Sequence, residues 1–265
     1  MKNRGAALKA LGISIALVVS ASSASSKKSS PLSDEESAAI TQRGRMLAEY
    51  DNAAGRAVKV VMAAHPEQGF IDHYVARKSA DGWVVAFGRF NGQHDKFLLV
   101  YEAAPGADPE VFTVKREDPP KEDDGFFFFA ARAIDTAKQD FRGEKRPYRI
   151  ALLPAEANQM YVYIYPAQTT AGVYPLGGDV RYLVSPDGST IIERRQLHKA
   201  IIESRGSAPQ GAKVVGGWHS HVLSDIPEDT DVFYVLTRKP PGPETVGAGG
   251  HVYKIQTDGT IRVEK

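Results

Sequence analysis

The sequence predicts an α+β protein built mainly of antiparallel sheet. Short runs rich in β-branched and aromatic residues alternate with tight-turn signals: Asp81-Gly82, Asn91-Gly92 and Pro186-Asp187-Gly188. Helical apolar spacing is confined to a few stretches. The strands are joined by hairpins and not by helical crossovers, which excludes a mostly parallel sheet. Of 265 residues, 42% are hydrophobic and 25% charged, enough to build a core without further support. The net charge of +1 gives no field favouring nucleic acid or an anionic membrane, and no basic stripe with interleaved aromatics is present. There is no cysteine, so disulfides, thiol catalysis and a lipoprotein-type anchor are excluded.

The first 24 residues read as a signal peptide. Lys2, Arg4 and Lys9 form a positive region, Leu11 to Val19 is apolar, and Ser22-Ser23-Ala24 fits a small-x-small cleavage site. The apolar run is about half the ~20 residues of a spanning helix, which favours cleavage over retention as an anchor. The expectation is a periplasmic or secreted chain with no integral membrane span after removal. Residues 25–32 read as a polar tether.

Residues 33–124 form the first expected unit. Ser33 and Glu36 have capping-box spacing, and a helix follows toward Ala64, with Gly44 and Gly55 as interruptions and Pro66 beyond its end. "HYVARK", "WVVAFGRF" and "KFLLVYEA" make a three-stranded meander, with "EVFTVKR" as an added edge. The charged, proline-bearing stretch Glu117–Gly125 reads as a boundary or exposed loop. Part of this unit, Asp51 to Glu102, resembles the small exported PepSY-type module, a helix followed by a meander.

Residues 125–265 form the second unit. "FFFFAARAIDTAKQDF" reads as a helix, followed by the strands "YRIALLP", "MYVYIYPA", "GDVRYLVS" and "TIIERRQL". The order repeats that of the first unit, so the two halves are candidates for similar helix-plus-meander units. Gly177-Gly178-Asp179 reads as a turn entering a strand. The tail adds "KVVGGWHSH", a helix over "PEDTDVFYVL", and the hairpin "HVYKIQ"/"TIRVE". Trp83, Phe87, Leu98, Val100, Ile150, Leu152, Val215 and Val235 are expected to be buried.

The stretch Gly216–Phe233 carries the chemistry. In a strand, His219 and His221 face the same side and could offer two imidazoles to one metal, with Asp231 returning as a third ligand. His198 follows a strand and could approach the pair, though a surface or core position is its more ordinary reading. Structure alone also accounts for the acids: Asp225 and Glu228 have capping-box spacing around Pro227, and Asp229 and Asp231 suit a helix N-terminus.

This stretch resembles the JAMM-type metalloprotease motif, a His-x-His pair before a Pro-Ser-x-x-Asp helix start. His219-Ser220-His221 matches the pair, and Pro227 to Asp231 matches the rest, with Glu228 in place of the serine that stabilises the tetrahedral intermediate in that family. Val222 stands where many members have proline. The resemblance implies a zinc ion on His219, His221 and Asp231, and a glutamate base for which Glu193 and Glu203 are candidates by position. Glu193 and Glu228 are thus the candidate catalytic residues. Residues 161–264 also resemble blocks of uncharacterised exported bacterial proteins, which implies secretion and no particular activity.

Two functions follow. The leading expectation is an exported non-catalytic module that binds a protein, peptide or other cell-envelope partner through a sheet face, such as that of Tyr161, Tyr163 and Tyr165, or through the Phe126–Phe129 run. The alternative is a JAMM-like zinc-dependent hydrolase of peptide or isopeptide-like amide bonds. Apart from that zinc, no cofactor is implied.

Overall fold

A computed structural model describes residues 29–205 and 215–264. The expected signal peptide and Lys213-Val214 of the expected histidine strand lie outside the described residues. Helix α1 runs Asp34–Ala63, capped by Ser33 in a reciprocal box with Glu36. A meander follows: β1 (His73–Ser79), β2 (Gly82–Phe90), β3 (Phe97–Pro105) and β4 (Phe112–Asp123), paired in that order and antiparallel. Helix α2 (Phe126–Asp140) opens the second unit. It precedes an antiparallel sheet of order β5-β6-β8-β9, with β5 Tyr148–Pro154, β6 Met160–Pro166, β8 Val180–Val184 and β9 Ile191–Gln196. The α+β class therefore stands; each unit has a helix before a four-stranded antiparallel sheet, but in the second β7 (Val173–Gly177) intervenes between β6 and β8 and pairs elsewhere.

Six further strands and a third helix complete the fold. Strand β7 pairs with β10 (Ile201–Arg205) beside the second sheet. Strand β11 (Gly217–Ser220) runs parallel to β12 (Glu244–Ala248), and β13 (His251–Ile255) and β14 (Ile261–Glu264) extend that sheet antiparallel. Helix α3 (Asp229–Thr237) packs against α1. Among the described residues no helix is long and apolar enough to cross a membrane.

Several expectations change. Glu117–Gly125 is not simply a loop, because β4 continues to Asp123. Its register on β3 passes from Tyr101↔Arg116 to Leu99↔Lys121, so Glu117–Pro120 is looped out of the ladder. An edge strand tolerates Pro119 and Pro120 there, since no ladder N–H is lost. The same irregularity changes the phase of β3: Val100 is buried while Leu98 is only half-buried. Ile150 is also half-buried, and Val215, ahead of the short β11, is 81% exposed. Trp83, Phe87, Leu152 and Val235 are buried as expected. The end of the tether is docked: Ser29 N–H and Oγ both donate to the Gly249 carbonyl, and Leu32 is buried.

Gly44 does not interrupt α1. A Cβ there would lie 2.5 Å from Val232 Cβ and 2.7 Å from the Asp229 carbonyl oxygen, so the glycine lets α3 approach α1 closely. Two cores result. The larger joins α1, α2 and the two meanders, and the smaller packs Ile40 against Val232, Val235, Tyr253 and Ile255. The smaller core fixes α3 relative to the last sheet, which sets the geometry of the histidine stretch.

Candidate metal centre

Three separate elements bring four potential ligands together. His219 lies on β11, and His221 follows one residue past its end, so the pair faces one side while Ser220 is exposed. Asp231 sits in the first turn of α3. His198 enters from the segment after β9. One ligand atom from each of the four lies within 4.8 Å of every other.

The spacing is that of a coordination shell. His198 Nε2 is 3.0 Å from His221 Nε2 and 3.0 Å from Asp231 Oδ1, and His219 Nε2 is 3.2 Å and 3.1 Å from the same two atoms. A tetrahedral zinc ion with ordinary bonds separates its ligands by roughly 3.3 Å. The four side chains are 0–8% exposed.

The outer partners fix the direction of each imidazole. His198 Nδ1 is 2.8 Å from Asp179 Oδ1, His219 Nδ1 is 3.0 Å from Glu244 Oε1, and His221 Nδ1 is 2.9 Å from the Ile226 carbonyl oxygen. All three partners are acceptors, so Nδ1 carries the proton and Nε2 presents a lone pair. Three lone pairs and a carboxylate oxygen thus face one point. Without a cation or added protons there, that arrangement is repulsive.

Charge pairing points the same way. Glu228 is paired with Arg195, Glu244 with Arg238, and Asp229 with Arg43 and Arg181. Asp179 and Asp231, 1% and 0% exposed, have no Arg or Lys partner among the described residues; their ion-pair contacts are to histidines. Two buried carboxylates are thus left without a basic side chain in contact, and a cation at the centre would supply the missing counter-charge. The proton equilibria express this demand. Burial opposes protonation of His198, yet Asp179 and Asp231 raise its pKa well above the ordinary value. For His219, burial is likewise outweighed by Asp231 and Glu244, which push it up to about 9. Burial of Asp231 opposes its ionisation, but His198, His219 and His221 hold its pKa well below the usual carboxylate range.

The centre floors a cleft of about 190 Å³. Its walls include His198, His219 and His221 with the apolar Leu176, Leu197, Ile202 and Leu223, and no carboxylate lines it.

The other sequence candidates fall elsewhere. Glu193 is exposed on β9 without a hydrogen bond to the cluster, and Glu203 on β10 pairs with Arg146, 3.1 Å away. Glu228 is buried, bonded to Arg195 at 2.6 Å, and its pKa is raised chiefly by burial. It, and not Asp225, is the N-cap of α3: the Glu228 N–H donates to Asp231 Oδ2 at 2.7 Å, so Pro227 stands before the helix and not in its first turn. Arg238, just past the end of α3, donates to Glu244 and to the Gly242 and Pro243 carbonyls. Of the tyrosine face, Tyr163 donates to Asp229 and Tyr165 to Asp51, and both rings are buried, while Tyr161 is half-buried.

Sequence reasoning missed Asp179 and Glu244. Asp179 follows Gly177 and Gly178, both at positive φ (89° and 64°), and this glycine turn aims the carboxylate back at His198. Glu244 begins the unforeseen β12, opposite Gly217, where a Cβ would meet its Oε2 at 2.1 Å. Comparison of the chain with protein-family models, curated proteins and solved structures gives no match.

Proposed function

We propose that this chain is a zinc-dependent hydrolase of peptide or isopeptide-like amide bonds. The carrying observation is the centre itself: His198, His219, His221 and Asp231 meet at zinc-ligand spacing, at the floor of a cleft, with two buried carboxylate charges left unpaired by Arg or Lys. Protein zinc sites rich in His and carboxylate are characteristic of catalysis, whereas structural sites are rich in Cys. An ion held there supplies Lewis-acid polarisation of a carbonyl and activation of water at neutral pH. The chain's own residues divide the rest. His219, His221 and Asp231 hold the ion, as the JAMM-type resemblance implies. His198 lines the cleft and Asp179 fixes its ring; with an ion in place of the protons that the centre otherwise holds, its Nε2 would be the group placed to accept a proton from water. That assignment replaces Glu193, which lies outside the cleft. Glu228 serves the helix start and Arg195.

The test is metal analysis of the purified chain, combined with turnover of fluorogenic peptide and isopeptide substrates. His219→Ala should lose both zinc and activity, while His198→Ala should keep zinc and lose activity. A metal-loaded protein without turnover on any such substrate would overturn the hydrolase reading.

One observation favours a second reading. His198 stands 3.0 Å from two other ligand atoms, the spacing of a complete four-ligand shell. A closed shell would make the ion structural, in a non-catalytic exported module that binds an envelope partner. His198→Ala would then release zinc, and X-ray absorption would show four protein ligands with no exchangeable water. Export is proposed on the N-terminal pattern alone. Intact-mass measurement on the periplasmic fraction should find a chain beginning near Ser25, and a mass that includes Met1 to Ala24 would contradict cleavage.

A further inference from the structure

A mainly apolar cavity lies away from the histidines, between α1, α2 and strands of both meanders. It measures about 530 Å³ and is walled by Met46 of α1, Trp83 of β2, Phe126 and Phe129 of α2, and Leu152 and Met160 of the second sheet. A volume in this range, mostly apolar and set between packed units, is typical of a small-molecule site. Phe126 and Phe129 are only partly buried, although Phe127 and Phe128 between them are packed into the core. The exposed halves of the phenylalanine run thus face this space.

The charged groups that line the cavity have one sign. Arg77 and Lys78 line it, and no Asp or Glu does. Lys78 is neutralised by Glu49, 2.6 Å away, which also accepts from Trp83 Nε1 at 3.1 Å. Arg77 has no carboxylate partner among the described residues. Its guanidinium lies over the rings of Phe126 and Phe127, 5.5 Å and 5.0 Å from their centroids. Stacking on aromatic faces leaves the in-plane N–H donors free for an anion.

One turn of the lining is strained. Ala157 and Asn158 lie in succession at positive φ, 51° and 59°, in the turn between β5 and β6, and Asn158 lines the cavity. Asparagine tolerates this conformation, but alanine costs about 1–2 kcal/mol there. Strain of this kind collects at ligand clamps.

We propose that this cavity binds an amphiphilic monoanion of the fatty-acid class, with its chain against Met46, Trp83, Phe126 and Met160 and its carboxylate on Arg77. The site is independent of the metal centre. Trp83 is its reporter. The chain has two tryptophans, and Trp218→Phe leaves Trp83 alone.

Titrating the Trp218→Phe protein with dodecanoate below its micellar range should change Trp83 emission saturably. Dodecyltrimethylammonium should bind at least about tenfold more weakly, the worth of a charge-assisted hydrogen bond. Arg77→Glu should weaken dodecanoate by at least as much, with an unchanged circular-dichroism spectrum, and Arg77→Lys should recover part of the loss. Because Arg77 is exposed, these variants should fold. Equal binding of the two detergents, no saturable change, or a response only to anionic phospholipid vesicles would overturn the proposal. Since no histidine of the centre is altered, failure here leaves the zinc reading untouched.

Discussion

Glu244 illustrates how much one buried carboxylate can hold. One oxygen takes the Nδ1 proton of His219 and the other takes Arg238, 2.5 Å away, whose remaining N–H groups close the turn at Gly242 and Pro243. Glu244→Gln retains the shape but removes the charge that orients the imidazole. Loss of such a partner typically weakens metal binding about 10–100-fold. Competition with a chromophoric chelator should show that loss, and an unchanged affinity would mean that His219 is positioned by the strand alone. Asp229 makes the contrasting case. It touches no ligand, yet binds Arg43, Arg181 and Tyr163 while wholly buried. Asp229→Asn leaves Arg181 buried without its counter-charge, and a loss of about 3 kcal/mol is expected. Urea unfolding of the metal-free protein should register it, and a change under about 1 kcal/mol would show that water or a neighbour replaces the carboxylate.

Helix packing decides whether the last sheet and α3 present the ligands together. In an ordinary helix interior, Gly→Ala gains about 1 kcal/mol. At Gly44 the added methyl would collide with Val232 and with the Asp229 carbonyl, a backbone atom in the turn that carries Asp231. Overpacking of this sort costs about 1–3 kcal/mol, so the clash outweighs propensity and Gly44→Ala should destabilise the protein. Thermal melts would check the sign, and a stabilised variant would show that α3 can move away freely. The same junction explains what the sequence could reveal. The His219/His221 pair was legible because strand period is local, and Asp231 because a proline and acids mark a helix start. Hairpin turns made both meanders legible for the same reason. Asp179 and Glu244 were not, because each reaches its histidine through pairing between distant segments: a glycine turn folded toward β9, and the parallel β11–β12 contact. The bulge that reverses Leu98 and the continuation of β4 past two prolines also depend on a partner strand, not on local pattern.

At the scale of the whole chain, the centre ties together pieces that are far apart in sequence: the end of the second sheet, the last sheet and α3, with α1 behind them through Gly44 and Arg43. No disulfide shares this task. An ion bound only by the folded state should therefore be a principal staple. At a zinc concentration one hundred times its dissociation constant, linkage gives about 2.7 kcal/mol. For a chain of this size that corresponds to a rise of roughly 5–10 °C in melting temperature. A chelator should reverse the rise, and Asp231→Ala or His219→Ala should abolish it. The gain should shrink as pH falls, since zinc must displace protons from the imidazoles to bind. Differential scanning calorimetry with zinc, with magnesium and with chelator, at neutral and mildly acidic pH, would test every part of this. Magnesium should have little effect, because it favours an octahedral oxygen shell over imidazole nitrogen. A zinc effect that survives in the His219→Ala protein, or that grows on acidification, would place the stabilising ion somewhere other than the histidine centre.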